Sequence, residues 1–204
     1  LVNLIPRLYD CTQGEGLVDG VNVKDYDEES LRDKIGIVMQ KSVMFGGSIR
    51  DNIRMGKLDA TDEEISEAVQ AAQAQNVVDG KKQGLDYIVE QGGKNLSGGQ
   101  MQRLCIARAL VKKPGILILD DSSSALDYAT DAALRKSLSS LSYNPTVITV
   151  SQRVSTVMHA DRIMVLEDGK TVGIGTHEEL LEHCPEYSEL YMTQIKNGAG
   201  GAKA

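Results

Sequence analysis

Apolar residues recur along this chain in two periods, and the changes of period divide it into elements. Leu1, Leu4, Ile5 and Leu8 fall at helical spacing, so the chain is expected to open within an amphipathic helix. Gly14, Gly16 and Gly20 then punctuate a short stretch, and Gly16 to Val23 reads as a hairpin. The burst Ile35-Gly-Ile-Val-Met39 reads as a strand that leads to Gln40. From Ser48 to about Gly80 the pattern is helical, with Thr61-Asp-Glu-Glu64 as a capping box ahead of Ile65. Ser97 to Leu110 is a further helix opened by glycines.

Ile116-Leu-Ile-Leu119 is short, wholly apolar and followed by two aspartates. A strand buried on both faces reads this way, and such strands belong to parallel sheets. Ala129 to Leu141 is expected to be helical, Thr146 to Val150 a second buried strand and Ile163 to Leu166 a third. Gly169-Lys-Thr-Val-Gly173 reads as a turn into an edge strand, and His177 to Asn197 as a closing helix. Strands alternating with helices predict an α/β fold with right-handed crossovers. The helix-rich block between Gln40 and Ile116 would form a side lobe, at about residues 41–112, on a domain of residues 1–197. The Gly/Ala-rich tail, residues 198–204, is expected to be disordered.

Composition narrows the class. With 204 residues, 41% of them hydrophobic, the chain can bury one sizeable core. A net charge of -7 argues against a nucleic-acid partner, because coating phosphates requires a basic surface. The 3 cysteines, Cys11, Cys105 and Cys184, lack metal-like spacing and read as buried or idle thiols of a reducing compartment. No apolar run approaches the roughly 18 residues of a membrane helix. The chain itself is therefore expected to be soluble.

The chemistry concentrates in a few segments. Leu96, Ser97, Gly98, Gly99 and Gln100 open the helix expected to end at Leu110. Backbone N–H groups and the positive helix end together suit a phosphate there. An isolated Ser-Gly-Gly run reads as a capped turn. Here, however, the next ten residues and the distance to the Ile116–Asp121 strand also match a known pattern, and the segment resembles the signature motif of ATP-binding-cassette (ABC) proteins. Asp120 and Asp121, 20 residues beyond Gln100, resemble the Walker B carboxylates, and Ser124, Ala125, Leu126 and Asp127 resemble the D-loop. A carboxylate ending a buried strand can hold Mg²⁺ through water. Gln40 resembles the Q-loop glutamine, which approaches Mg²⁺ and the attacking water. Phe45 to Ile53 is similar to the exporter version of the segment that follows, and Val89-Glu-Gln-Gly-Gly93 is a looser match to an exporter loop that feels the membrane domains.

The chain is thus identified as resembling an exporter-type ABC nucleotide-binding domain. The resemblance implies a P-loop NTPase (RecA-like) parallel-sheet core with a helical subdomain, and ATP and Mg²⁺ as cofactors. It also implies a second nucleotide-binding domain as partner, a transmembrane domain upstream and a place on the cytoplasmic face of a membrane. A homodimer and a soluble, non-transport ABC ATPase are the alternatives.

Three departures qualify the match. No G-x-x-x-x-G-K-[ST] run occurs, which is read as an N-terminal truncation. Asp121 stands where the family carries Glu, shorter by roughly 1.5 Å of reach. Gln152 stands where the switch loop carries His; an amide can hydrogen-bond but cannot titrate. Asp121 and Gln152 are accordingly expected to make this chain's own site, which would also use Gln40, hydrolytically weak. The intact signature would complete the partner's site, as in heterodimeric exporters with one weak and one strong site.

Overall fold

A computed structural model describes residues 1–200, residues 196–200 by their backbone alone. Two compact units divide the chain, Leu1–Val150 and a second that begins at Ser151.

The first unit opens on a single 3₁₀ turn, Val2–Leu4, rather than on the expected amphipathic helix. Pro6 brings no N–H and its ring obstructs the preceding turn, and Arg7, at φ 52°, leaves the right-handed region. Strands β1 (Leu17–Val18) and β2 (Val21–Asn22) form the predicted hairpin. Its turn holds Asp19 at φ 51° and Gly20 at φ 77°, the two left-handed positions that an Asp-Gly turn supplies. Helix α1 (Glu28–Asp33) leads into β3 (Ile35–Val38). There follow β4 (Gly47–Ser48), α2 (Ile49–Arg54), α3 (Asp62–Ala71), α4 (Gln75–Asp79), β5 (Ile88–Val89) and α5 (Gly98–Leu110). The capping box at Thr61 forms as predicted, and Ser48 with Asp51 repeats it at the start of α2. Strand β6 (Ile116–Asp120), helix α6 (Tyr128–Ser139) and strand β7 (Thr146–Val150) complete the unit.

Strands β3, β6 and β7 make a parallel sheet in the order β3-β6-β7. Parallel neighbours need long crossovers. Residues 39–115 form the first and hold the helices α2 to α5, while α6 lies on the second. Alternate residues of β6 enter two different cores. Leu117 and Leu119 pack with Ile49, Ile53, Ile65, Leu104 and Ile106, whereas Ile118 packs with Val18, Val23, Leu31 and Ile35. Both faces are covered, so the strand is apolar from Ile116 to Leu119, and the first polar residue, Asp120, comes at its C-terminal end. Truncating a side chain as fully buried as Leu117 to alanine would cost about 2–5 kcal/mol.

Strand β7 departs from expectation: it is not buried, and Val147 and Val150 are each 39% exposed. Among the described residues it pairs only with β6. Its apolar run resembles that of β6, but no strand within the described residues covers its other side.

The second unit holds α7 (Val154–Val157), β8 (Ile163–Glu167), β9 (Lys170–Gly175), α8 (His177–His183) and α9 (Pro185–Gly200). The edge strand expected near Gly173 is β9, and it pairs antiparallel with β8. The expectation of a third buried strand fails here: Ile163 is buried, but Met164 and Leu166 are 49% and 50% exposed. A two-stranded ribbon buries one face at most. Ile163 joins Val154, Leu180, Cys184 and Tyr187 in this unit's own core. The closing helix is two helices, separated at Cys184 (φ −123°, ψ 98°), because a residue before proline avoids helical geometry. Of the tail expected to be disordered, residues 198–200 continue α9, and residues 201–204 lie outside the described residues.

Candidate functional site

Two of the singled-out side chains arise from one edge of the parallel sheet. Val38, the last residue of β3, lies opposite Leu119 of β6. Gln40 and Asp120 therefore leave adjacent strands at the same, C-terminal end, where open α/β sheets place their ligands. Gln40 is exposed and Asp120 half-buried. Asp121 follows with φ 47°, a left-handed conformation that Asp tolerates better than most residues. Its N–H donates to the Val150 carbonyl at 2.9 Å, and its own carbonyl accepts the Ser124 hydroxyl at 2.9 Å. The backbone at Asp121 is thus tied to both β7 and the following loop.

The Ser97–Gln100 segment caps α5. The Ser97 hydroxyl accepts from the Gln100 N–H, and the Gln100 side-chain oxygen accepts from the Ser97 N–H. A helix start leaves its first N–H groups without intrahelical acceptors. With Gln100 satisfied by Ser97, Gly98 and Gly99 present theirs outward. The Ser124–Asp127 loop packs against these glycines. A Cβ on Gly99 would lie 3.0 Å from the Ala125 carbonyl oxygen, and one on Gly98 would lie 3.7 Å from the Ala125 Cβ. Asp127 caps α6, accepting from the Thr130 N–H and hydroxyl at 2.9 and 2.7 Å, which holds its carboxyl below the usual value.

A family model described as ABC transporter matches residues 1–124. The chain belongs to the ABC transporter family. The putative multidrug export ATP-binding/permease protein YgaD of Bacillus subtilis (strain 168) is 43% identical over 197 residues, 97% of this chain and 34% of that protein. A putative multidrug export ATP-binding/permease protein of Staphylococcus aureus (strain NCTC 8325 / PS 47) is 45% identical over 194 residues, 95% of this chain and 34% of that protein. A solved bacterial Atm1-family ABC exporter with ATP bound superposes with a TM-score of 0.91 at 36% identity, over 95% of this chain and 34% of that one. The chain therefore spans about a third of the length of these ABC relatives, and its fold is that of an exporter nucleotide-binding domain.

Within this ABC fold, helix α5 also grips the strand-to-helix segment that follows Gln40. Arg108 donates to the Val43 carbonyl at 2.9 Å, and the Ser42 hydroxyl bonds the buried Gln102 side chain. Asn52 holds both the N–H and the carbonyl of Phe45 at 2.9 Å. The Phe45 loop is stitched in turn to the Val89–Gly93 segment: Gln91 accepts the Gly46 N–H, and Gly92 donates to the Met44 carbonyl. At the other side of α5, Arg103 donates to the Gln73 carbonyl and to Asn76, both at 2.7 Å. Sequence reasoning missed these anchors. The Ser-Gly-Gly run did suggest a cap at Ser97, but no local pattern marks Arg108, Gln102 or Asn52.

Gln152 belongs to the second unit. Its side chain is exposed, while its backbone carbonyl accepts the Gln194 side-chain N–H at 2.7 Å. No group of three or more His, Cys, Asp or Glu residues able to hold a metal occurs among the described residues. No helix among the described residues is long and apolar enough to cross a membrane.

Proposed function

We propose that this chain is the ATP-binding and hydrolysing domain of an ABC exporter, acting with a second nucleotide-binding domain and with transmembrane helices on the same polypeptide. The observation that carries the reading is the capped α5 start: Gly98 and Gly99 N–H groups at a 13-residue helix, seated on the Ser124–Asp127 loop. Such a start offers N–H donors and a positive helix end to the phosphates of an ATP held by the partner. Asp120 and Gln40 would hold Mg²⁺ for this chain's own ATP, and the ion would supply charge neutralisation on the phosphates.

Asp121 and Gln152 weaken that second site. The Asp121 carboxylate reaches about 1.5 Å less far than Glu would, and a misplacement of about 1 Å can cost on the order of 10²-fold in rate. Gln152 can hold a phosphate oxygen but moves no proton. The site binds ATP and keeps it, while the partner's site turns over. Apolar exposure at Val43, Phe45 and Ile88 (40%, 44% and 63%) supports a docking surface for the membrane helices around the Gln40–Phe45 segment.

The test uses the full-length protein with its partner, whose own catalytic acid is removed so that only this site can turn over. Asp121→Glu combined with Gln152→His is expected to raise that turnover by about 10- to 10²-fold. No rise above background would overturn the weak-site reading. Robust ATPase activity of the full-length protein without a partner would overturn the heterodimer.

A further inference from the structure

We infer that Gln194 is a positioning residue for the switch loop, holding residues 152–154 so that the Gln152 side chain is presented to the nucleotide. The inference rests on the proposed ATP-binding role of this chain. Gln194 lies on α9, outside every motif of the site and 42 residues from Gln152 in sequence. Its carboxamide makes two bonds of opposite sense to the same short loop. The Nε2 donates to the Gln152 carbonyl at 2.7 Å, and the Oε1 accepts the Val154 N–H at 2.9 Å. No other ordinary side chain of this length both donates and accepts from one planar group.

The two bonds bracket Arg153, directly after the switch residue, and fix the peptide that leaves Gln152. Only the backbone carbonyl of Gln152 is used, so the bond orients its peptide without competing for its side-chain amide. The Val154 bond sits where the loop becomes α7, and the Val154 side chain is 2% exposed in the unit's core. The Ser151 hydroxyl accepts the Arg153 N–H at 3.0 Å and tightens the same turn. The loop is therefore anchored at its base by packing and at its side by Gln194. A shift of α9 by more than hydrogen-bond reach would release it, which makes the last helix a control element for the switch.

The test uses the full-length transporter with its partner and reads two quantities. The first is hydrogen exchange at the Val154 amide. The second is retention of 8-azido-ATP at this chain's site, followed by subunit-resolved photolabelling. Gln194→Ala removes both bonds; Val154 exchange is expected to accelerate on the order of tenfold, and retention to fall several-fold. Gln194→Glu still accepts from Val154 but cannot donate to Gln152. Its Val154 exchange should stay near that of the unsubstituted protein while its nucleotide retention falls, a split that mere loss of stability would not produce. Unchanged exchange in Gln194→Ala, or unchanged retention in both variants, would overturn the inference. If the unsubstituted complex retains no label on this subunit, the ATP-binding reading itself falls before any variant is compared, and the positioning role falls with it.

Discussion

Helix α5 and the stretch running from β7 into the switch loop carry comparable motif residues, yet they are held in different ways. Seven residues of α5 are buried, its start is capped reciprocally, and Arg103 and Arg108 tie its sides to backbone carbonyls of distant segments. Among the described residues β7 has one strand neighbour, and two of its valines are more than a third exposed. The contacts that hold the switch loop beyond it include a serine turn, the buried Val154 and the Gln194 side chain. A surface offered to another chain must be rigid before the partner arrives, since ordering it on association would cost affinity. A loop with few ties lies nearer the low-stability end of a structure, which would suit the nucleotide response proposed for the switch loop.

The comparison can be broken most severely at Gly99. In Gly99→Val the added side chain meets the Ala125 carbonyl, which already lies 3.0 Å from the position of a Cβ. The signature and the Ser124–Asp127 loop must separate, and steady-state ATPase activity of the full-length complex should fall by about 10²-fold or more. Activity within twofold of the unsubstituted complex would show that this contact does not set the geometry of the partner's site.

A smaller effect separates capping from function. Ser97→Ala and Thr61→Ala each delete the hydroxyl of a reciprocal capping box, at about 0.5–2 kcal/mol of stability. Thermal unfolding should therefore show similar losses. Only Ser97→Ala should also reduce turnover in the complex. Equal turnover in the two variants would reduce Ser97 to a cap.

The smallest effect is a titration. Hydrogen bonds from Thr130 depress the Asp127 carboxyl below its ordinary value of 3.8. A depressed carboxyl contributes stability that is complete above that value and is lost as pH falls through the depressed one. Thermal midpoints followed from pH 6 to 3 should fall less steeply for Asp127→Asn, whose side chain still accepts from Thr130 but carries no charge. Parallel curves would show that the charge of this cap contributes nothing.

Much of this organisation was legible from residue order. The Gly16–Val23 hairpin, the β3 and β6 strands, the Thr61 box and the α5 helix all rest on short-range signals: a turn pair, a period, a cap spacing. Misreadings fell where a local pattern was overruled. Pro6 stopped the opening helix and Pro185 split the closing one. The apolar strands β7 and β8 proved half-exposed, because an apolar run looks the same whether or not a neighbour covers it. Within the site, Gln40, Asp120 and Asp121 were placed by motif order, and the sheet register then set Gln40 and Asp120 on adjoining strand ends.

Residue order alone determined the kind of elements, the family and the chemical character of each motif residue, because propensity, periodicity and motif spacing are local properties of the chain. Tertiary structure decided which face each strand buries and why Gly99 has no room for a side chain. It also decided which distant side chains, Arg108 and Gln194, hold the functional loops. Those are contacts between residues tens of positions apart, and their partners are chosen by packing, which no spacing within a segment encodes.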